Sequence, residues 1–360
     1  MLTRQVVRMG SVPSITLPQK RFFSRTGGRL ASYGFIGLGQ MGYQMAGNLQ
    51  AKLSSSDQLC VFDIDLKTTQ KFAAECKKSS SISAGARVGV AENAPGAVRD
   101  ADFVITVLPE PAHVKAVYDE IVSADLPVRG RTFIDCSTID PTTSRAVGAL
   151  IESHNRPSPP PSKSSSSELG ETGSIKSIFV DAPMSGGVVG AAAGALTFML
   201  GATPDSAAIV TPILQTMGKR VTHCGPPGSG LVAKLANNYV LGVANIATAE
   251  AMNFGMRWGL DANVLASVLA TSTGRCWPVE VNNPVPGVVP TAPASRDYKG
   301  GFGLRLMAKD LRLAATAAKD REARLELVER VRQVYADAIA DEKCADRDFS
   351  VLYRWLGGKE

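Results

Sequence analysis

Over the first two thirds of the chain, short apolar runs alternate with longer segments that mix apolar and polar positions. Ser32-Tyr-Gly-Phe-Ile-Gly37, Leu59-Cys-Val-Phe-Asp63, Phe103-Val-Ile-Thr-Val-Leu108 and Thr132-Phe-Ile-Asp135 predict buried strands, and residues 41–53, 112–122 and 142–153 predict helices. Wholly apolar strands alternating with helices indicate a parallel, doubly wound sheet covered on both faces. Ile178-Phe-Val-Asp181, Leu196-Thr-Phe-Met-Leu200 and residues 220–224 continue the strands, with a helix at 211–217. The pattern then changes once. Beyond Gly228 strand signals largely vanish, and helical runs at 228–258, 261–272, 303–319 and 322–342, interrupted by a Pro/Gly-rich loop at 284–301, predict an all-α second domain. The expected fold class is α/β, with the sheet domain over 31–224 and the helical domain over 225–360.

The stretch Gly228-Ser-Gly-Leu-Val-Ala-Lys-Leu-Ala-Asn-Asn238 opens the longest helical run, which is apolar on nearly all sides and so predicts a helix buried between two masses of protein. Lys234 and Asn238 are four residues apart and share one face. A buried lysine costs several kcal/mol unless it finds a partner or loses its proton. A lysine snorkelling to the surface from the first turns is the competing reading.

Charge sharpens the picture at one end. Arg4, Arg8, Lys20, Arg21, Arg25 and Arg29 account for the whole formal charge of +6, and the first acidic residue is Asp57. An acid-free, Arg-containing leader without a long apolar core matches an organellar transit peptide, so residues 1–30 predict import into the mitochondrial matrix. The remainder is net neutral, which argues against nucleic-acid binding, since that needs a basic face on the folded domain. No run reaches the ~20 strongly apolar residues of a membrane span. Cys60, Cys76, Cys136, Cys224, Cys276 and Cys344 lack paired metal-type spacing, and no metal site is expected. Residues 155–177, rich in serine and proline, cannot bury enough apolar surface to fold and predict a solvated insertion.

Gly37-Leu38-Gly39-Gln40-Met41-Gly42 directly follows the first strand and opens the first helix. Its glycines suit the tight turn, the close approach to a pyrophosphate and helix–strand packing, and the helix N-terminus supplies amide donors. Asp63 ends the second strand 21 residues past Gly42, where a carboxylate accepts from ribose hydroxyls and repels a 2′-phosphate. The sheet domain is therefore expected to be Rossmann-like and to bind NAD rather than NADP, with Lys67 as the residue that could tolerate the phosphate. Leu108-Pro109 and Thr138 follow further strands, at the carboxyl edge that faces the cofactor; both also read as ordinary turns.

Four ordered blocks resemble the 3-hydroxyisobutyrate dehydrogenases within the β-hydroxyacid dehydrogenases. They are Gly34-Phe-Ile-Gly-Leu-Gly-Gln-Met-Gly42, Asp181-Ala-Pro-Met-Ser-Gly-Gly187 with Gly190-Ala and Gly194, the 228–238 segment, and Tyr298-Lys-Gly-Gly-Phe302 with Lys309-Asp310-Leu311. Gly274-Arg-Cys-Trp277 looks most like the hydroxyisobutyrate branch. The resemblance implies NAD-dependent oxidation of 3-hydroxyisobutyrate to methylmalonate semialdehyde, with Lys234 as general base and Asn238 holding the alcohol oxygen or the substrate. It also implies that Ser185, Gly186 and Gly187 bind the substrate carboxylate and that Lys309 reaches the cofactor across the cleft. Phe302 is expected beside the cofactor pocket. His113 stands where the family often has asparagine and is expected to contact the nicotinamide side. Two other readings stay open: an NADPH-dependent reductase of glyoxylate, succinic or tartronate semialdehyde, and a non-catalytic dinucleotide-binding scaffold. Apolar surface on the helical domain predicts a homodimer or homotetramer.

Overall fold

The computed structural model describes residues 31–79, 85–124, 130–154 and 176–359; the expected leader and nearly all of the expected insertion fall outside them. The chain enters with β1 (Ser32–Ile36), α1 (Gln40–Lys52), β2 (Gln58–Phe62), α2 (Leu66–Ser79), β3 (Arg87–Val90), α3 (Ala94–Val98), β4 (Phe103–Thr106), α4 (Pro111–Ser123), β5 (Thr132–Asp135) and α5 (Pro141–Ser153). It continues with β6 (Ile178–Asp181), β7 (Met184–Ser185), α6 (Gly187–Ala192), β8 (Leu196–Gly201), α7 (Pro204–Met217) and β9 (Gly218–Gly225). The remainder is helical: α8 (Ser229–Arg257), α9 (Ala262–Thr271), α10 (Trp277–Glu280), α11 (Leu304–Lys319), α12 (Val328–Ala340) and α13 (Leu352–Trp355). Residues from Ala31 onward form one compact unit.

The strands lie in the order β3-β2-β1-β4-β5-β6-β8-β7, with β9 beside β8. β1 through β6 pair in parallel; β8 runs antiparallel to β6 and β7, and β9 parallel to β8. Alternate residues feed two cores, as the two-residue period of a strand dictates. Tyr33, Phe35, Ile105, Ile134 and Val180 enter one, while Ile36, Val104, Phe133 and Phe179 enter the other. That is the doubly wound arrangement expected, followed by the helical part.

Helix starts follow their caps. Asp140 accepts from Thr143 N (2.7 Å) before Pro141, and Asn93 accepts from Gly96 N (2.7 Å) before Pro95. The same chemistry corrects one boundary: α7 begins at Pro204, not at 211, because Thr203 caps it by accepting from Ser206 N. The run expected from 322 begins only at Val328. Glu322 adopts a left-handed φ of 54° and Ala323 N reaches back to Ala318 O, closing α11 instead. Apolar runs do not announce α2, β3 or α3. Among the described residues α2 buries only Thr69, Phe72 and Cys76 on its inner side, and β3 is a mostly exposed edge strand.

A larger correction concerns α8. Its buried residues recur every three or four positions, as Leu231, Lys234, Asn238, Gly242, Asn245, Thr248 and Met252. Val240, Phe254 (66% exposed) and the following Trp258 (80%) face outward. The helix is buried on one face, and that face carries Lys234, Asn238, Asn245 and Thr248 among its buried positions. Leu231 belongs to a sheet core and Met252 to the helical core, so α8 joins the two.

Candidate active site

The parallel register brings the expected site residues to one edge. Ile36 pairs with Phe62 and Thr106, Thr106 with Asp135, and Asp135 with Asp181, so these strands stop level with one another. The segments that follow them, 37–42, 63, 107–109, 136–138 and 182–187, therefore emerge together at the carboxyl edge.

In the glycine loop each glycine has its own reason. Gly37 has φ +97°, and a Cβ on it would strike the Val107 carbonyl oxygen. A Cβ on Gly42 would strike the Gly37 carbonyl oxygen, whereas one on Gly39 would meet nothing within 4 Å. Gly37 and Gly42 thus allow the turn to pack on the sheet, and Gly39 leaves open the side from which a phosphate would approach. Gly39 caps α1 without a side chain, so the amides of Gln40, Met41 and Gly42 in the first turn have no intrahelical acceptor. Leu38 ties the loop to β2. Its side chain is buried in the core, and its N–H donates to Asp63 Oδ2 at 2.6 Å. Asp63 Oδ1 accepts from Asp65 N (2.9 Å), so the carboxylate is held at the end of β2 with a lone pair on each oxygen to spare. These donors and acceptors fit a dinucleotide: first-turn amides for the pyrophosphate and a fixed carboxylate for the ribose.

Lys234 is 7% exposed, the fourth position beyond Gly230 on α8. Burial pushes its ammonium below the usual lysine range; the Asp310 carboxylate opposes this and the Lys309 ammonium reinforces it. Snorkelling is thereby overturned, because the first turns of α8 lie against the sheet. Gly242 permits this arrangement deeper along the helix, since a Cβ there would press on Leu311 Cδ2 at 3.0 Å. The close approach of α8 and α11 sets Asn238 against Asp310, with Asn238 Nδ2 donating to Asp310 Oδ2 at 2.6 Å. Asn237 Nδ2 donates to Asn238 Oδ1 (3.0 Å). Asp310 Oδ1 takes no hydrogen bond and lies 3.5 Å from Lys309 Nζ. Lys234, Asn238, Lys309 and Asp310 thus form one charged and polar group inside the protein.

Lys309 crosses from α11 to the sheet, and its ammonium donates to Pro109 O (3.0 Å) and Thr138 O (2.9 Å). It joins the two loops expected to face the cofactor. Beneath them, fully buried Asp135 accepts from Thr106 Oγ1 (2.7 Å) and Ser137 N (3.1 Å), and Ser137 Oγ accepts from Leu108 N (2.8 Å). Burial pushes the Asp135 carboxyl up, against the pull of these hydrogen bonds and of Lys309. Arg312 and Glu110 add a second tie between the helical part and the sheet, at 2.8 Å.

Ser185 ends β7, paired with Thr197 of β8, and the next two residues, Gly186 (φ +134°) and Gly187 (φ +61°), take backbone angles that side chains disfavour. The turn leaves Ser185 half-buried and Gly186 exposed. His113 is exposed in the first turn of α4, two residues after the N-terminal Pro111. Phe302 precedes the cap of α11; its N–H donates to Asp348 Oδ2 (2.7 Å), and its ring meets Phe349 edge-on at 6.0 Å.

Sequence reasoning missed Asp310, Asp135 and Asp181 as parts of the site. Asp310 stood in the Lys309-Asp310-Leu311 block, and Asp135 and Asp181 ended strands, so each carried a positional signal. Each also has a partner 29 to 72 residues away in sequence, visible only in the fold: Thr106 for Asp135, Gly228 for Asp181 and Asn238 for Asp310.

Comparison with known proteins places the chain. Residues 32–157 and 161–225 match the family described as the NAD binding domain of 6-phosphogluconate dehydrogenase, and residues 228–356 match the NAD-binding domain of NADP-dependent 3-hydroxyisobutyrate dehydrogenase. A Drosophila melanogaster protein named 3-hydroxyisobutyrate dehydrogenase, mitochondrial, is 41% identical over 91% of this chain and 90% of its own length. The chain belongs to the 3-hydroxyisobutyrate dehydrogenase family. Family membership makes it an oxidoreductase with NAD(P)-binding domains. A Mycobacterium tuberculosis 3-hydroxyisobutyrate dehydrogenase solved with L-serine is 38% identical with a TM-score of 0.76, and the match covers 91% of this chain and 99% of that one. A Pseudomonas aeruginosa relative, 39% identical over 89% of this chain and 96% of its own, is named NAD-dependent L-serine dehydrogenase.

Proposed function

We propose that this member of the family oxidises 3-hydroxyisobutyrate to methylmalonate semialdehyde with NAD, as a step of valine breakdown in the mitochondrial matrix. The observation that carries the reading is buried Lys234, its proton affinity lowered, beside Asn238 on the helix that joins the dinucleotide-binding sheet to the helical part, with Asp310 of α11 set against them. Neutral Lys234 Nζ takes the hydroxyl proton as the alcohol becomes an aldehyde. Asn238, its amide turned by Asp310, holds the alcohol oxygen, and the Ser185–Gly187 loop receives the carboxylate. NAD, bound at the glycine loop, supplies the hydride acceptor.

Fixed Asp63 supports NAD over NADP, since a carboxylate already holding Leu38 N and Asp65 N would meet a 2′-phosphate with like charge. Import is supported by the acid-free leader and by the names of the Drosophila melanogaster and Mus musculus relatives, both called mitochondrial. L-Serine is the second reading, favoured by the Pseudomonas relative's name and the mycobacterial complex. It shares the 3-hydroxy acid frame and replaces a methyl with an ammonium.

Initial rates decide between them. Protein from residue 31 onward, given NAD or NADP with 3-hydroxyisobutyrate, 3-hydroxypropionate or L-serine, is expected to prefer NAD with 3-hydroxyisobutyrate. Glyoxylate and the semialdehydes are tested in reverse with NADH and NADPH. Faster turnover of L-serine selects the second reading, and faster reduction of glyoxylate with NADPH overturns the assignment.

The outward apolar residues of α8, with exposed Val264 and Val268 on α9, support self-association through this face. Light scattering is expected to report a dimer or tetramer, and Trp258→Glu to lower its mass; an unchanged monomer overturns this.

A further inference from the structure

Outside the group around Lys234, Asp181 stands at the end of β6 as a fully buried carboxylate. Its two oxygens are committed to one task. Oδ1 accepts from Gly228 N at 2.5 Å and Oδ2 from Leu231 N at 2.9 Å. These amides flank the start of α8, whose own cap is a glycine with no side chain to offer. The cap of the longest helix therefore comes from a strand 47 residues upstream.

The surroundings are shaped for this contact. A Cβ on Gly201 would strike Asp181 Oδ1, and a Cβ on Gly230 would strike the Met199 carbonyl oxygen and press on Asp181 Oδ2 at 2.9 Å. Arg145 Nε steadies the same turn by donating to Pro227 O (3.3 Å). Burial raises the Asp181 carboxyl to about 6, outweighing its amide hydrogen bonds, so holding it ionised at neutral pH costs the fold free energy.

Asp181 also has a particular place in the chain. Four residues after it stands Ser185, the start of the loop assigned to the substrate carboxylate, and three residues after Leu231 stands Lys234. One side chain thus links the strand leading to one end of the substrate with the helix turn carrying the base for the other. We propose that Asp181 is a positioning residue: by pinning the first turn of α8 to β6 it sets the spacing between Lys234 and the Ser185–Gly187 loop, and so the length of hydroxy acid accepted. This rests on the reading of Lys234 as the base and of the loop as the carboxylate site.

The test compares Asp181→Asn and Gly230→Ala with Lys234→Ala and with Thr203→Ala, which removes the side-chain cap of α7. Each is measured for kcat and KM with NAD and for NADH affinity by fluorescence, using 3-hydroxyisobutyrate, 3-hydroxypropionate and the longer 4-hydroxybutyrate. Asp181→Asn and Gly230→Ala are expected to lose about 100-fold in kcat, with NADH affinity held within about twofold. Their preference for 3-hydroxypropionate over 4-hydroxybutyrate is expected to fall at least about tenfold. Thr203→Ala should keep wild-type values of both. Unchanged length preference in Asp181→Asn, or in Gly230→Ala if the former does not fold, overturns the proposal, as does an equal loss in Thr203→Ala. Full turnover by Lys234→Ala overturns instead the reading on which the proposal rests.

Discussion

Lys234→Ala is expected to lower kcat for hydroxy-acid oxidation by about 1,000-fold while leaving NADH affinity near wild type, because general base catalysis contributes about 10²–10⁴ and the proposed dinucleotide contacts lie elsewhere. The wild-type rate carries the same signature in its pH dependence. Burial, the first cause of the shift, stabilises the neutral amine, so the titration lies below the ordinary lysine value. With Lys234 as the base, oxidation needs that neutral amine and is expected to rise as pH passes upward through the shifted pKa. Reduction needs the ammonium and falls over the same range. Loss of the limb in Lys234→Ala, with the residual rate independent of pH, identifies the titrating group. Wild-type turnover in a folded Lys234→Ala protein would remove lysine from the mechanism.

Asp310 gives the second large effect, which two substitutions separate into charge and orientation. Asp310→Asn removes the negative charge but keeps an oxygen able to accept from Asn238 Nδ2, as Asp310 Oδ2 does at 2.6 Å. Since the carboxylate raises the Lys234 pKa, its neutralisation moves the oxidation limb to lower pH. Lys309→Met removes a cation that lowers the same pKa, so the limb moves to higher pH. Asp310→Ala also frees the Asn238 amide, and kcat is expected to fall by about 100-fold. The check is kcat/KM against pH for the three variants. Shifts of the same sign in Asp310→Asn and Lys309→Met would show that neither charge acts on the base in the way the geometry requires.

Much of this molecule follows from local sequence. Apolar runs such as Thr132-Phe-Ile-Asp135 form strands because both sheet faces are covered, and alternate side chains enter different cores. The glycine loop was legible because its requirements are local: a positive φ at Gly37 and no side chain at Gly42, where the turn folds back on itself. Lys234 and Asn238 were legible as a pair because a four-residue spacing puts them on one helix face whatever surrounds the helix.

Tertiary structure alone decided what those residues meet. Asp310 became part of the site because Gly242 lets α11 approach α8, a contact between residues far apart in sequence. Lys309 was expected to reach the cofactor; its position depends on where the loops after β4 and β5 place the Pro109 and Thr138 carbonyls. Helix α8 misled in the opposite direction. Its composition is apolar nearly all round, yet the fold buries the face bearing Lys234 and Asn238 and leaves Phe254 outside. Sequence thus determined which residues could do the chemistry, since backbone angles and helical periods are local. The fold determined their charge state and partners, because desolvation and Coulomb interaction depend on distances in space rather than along the chain.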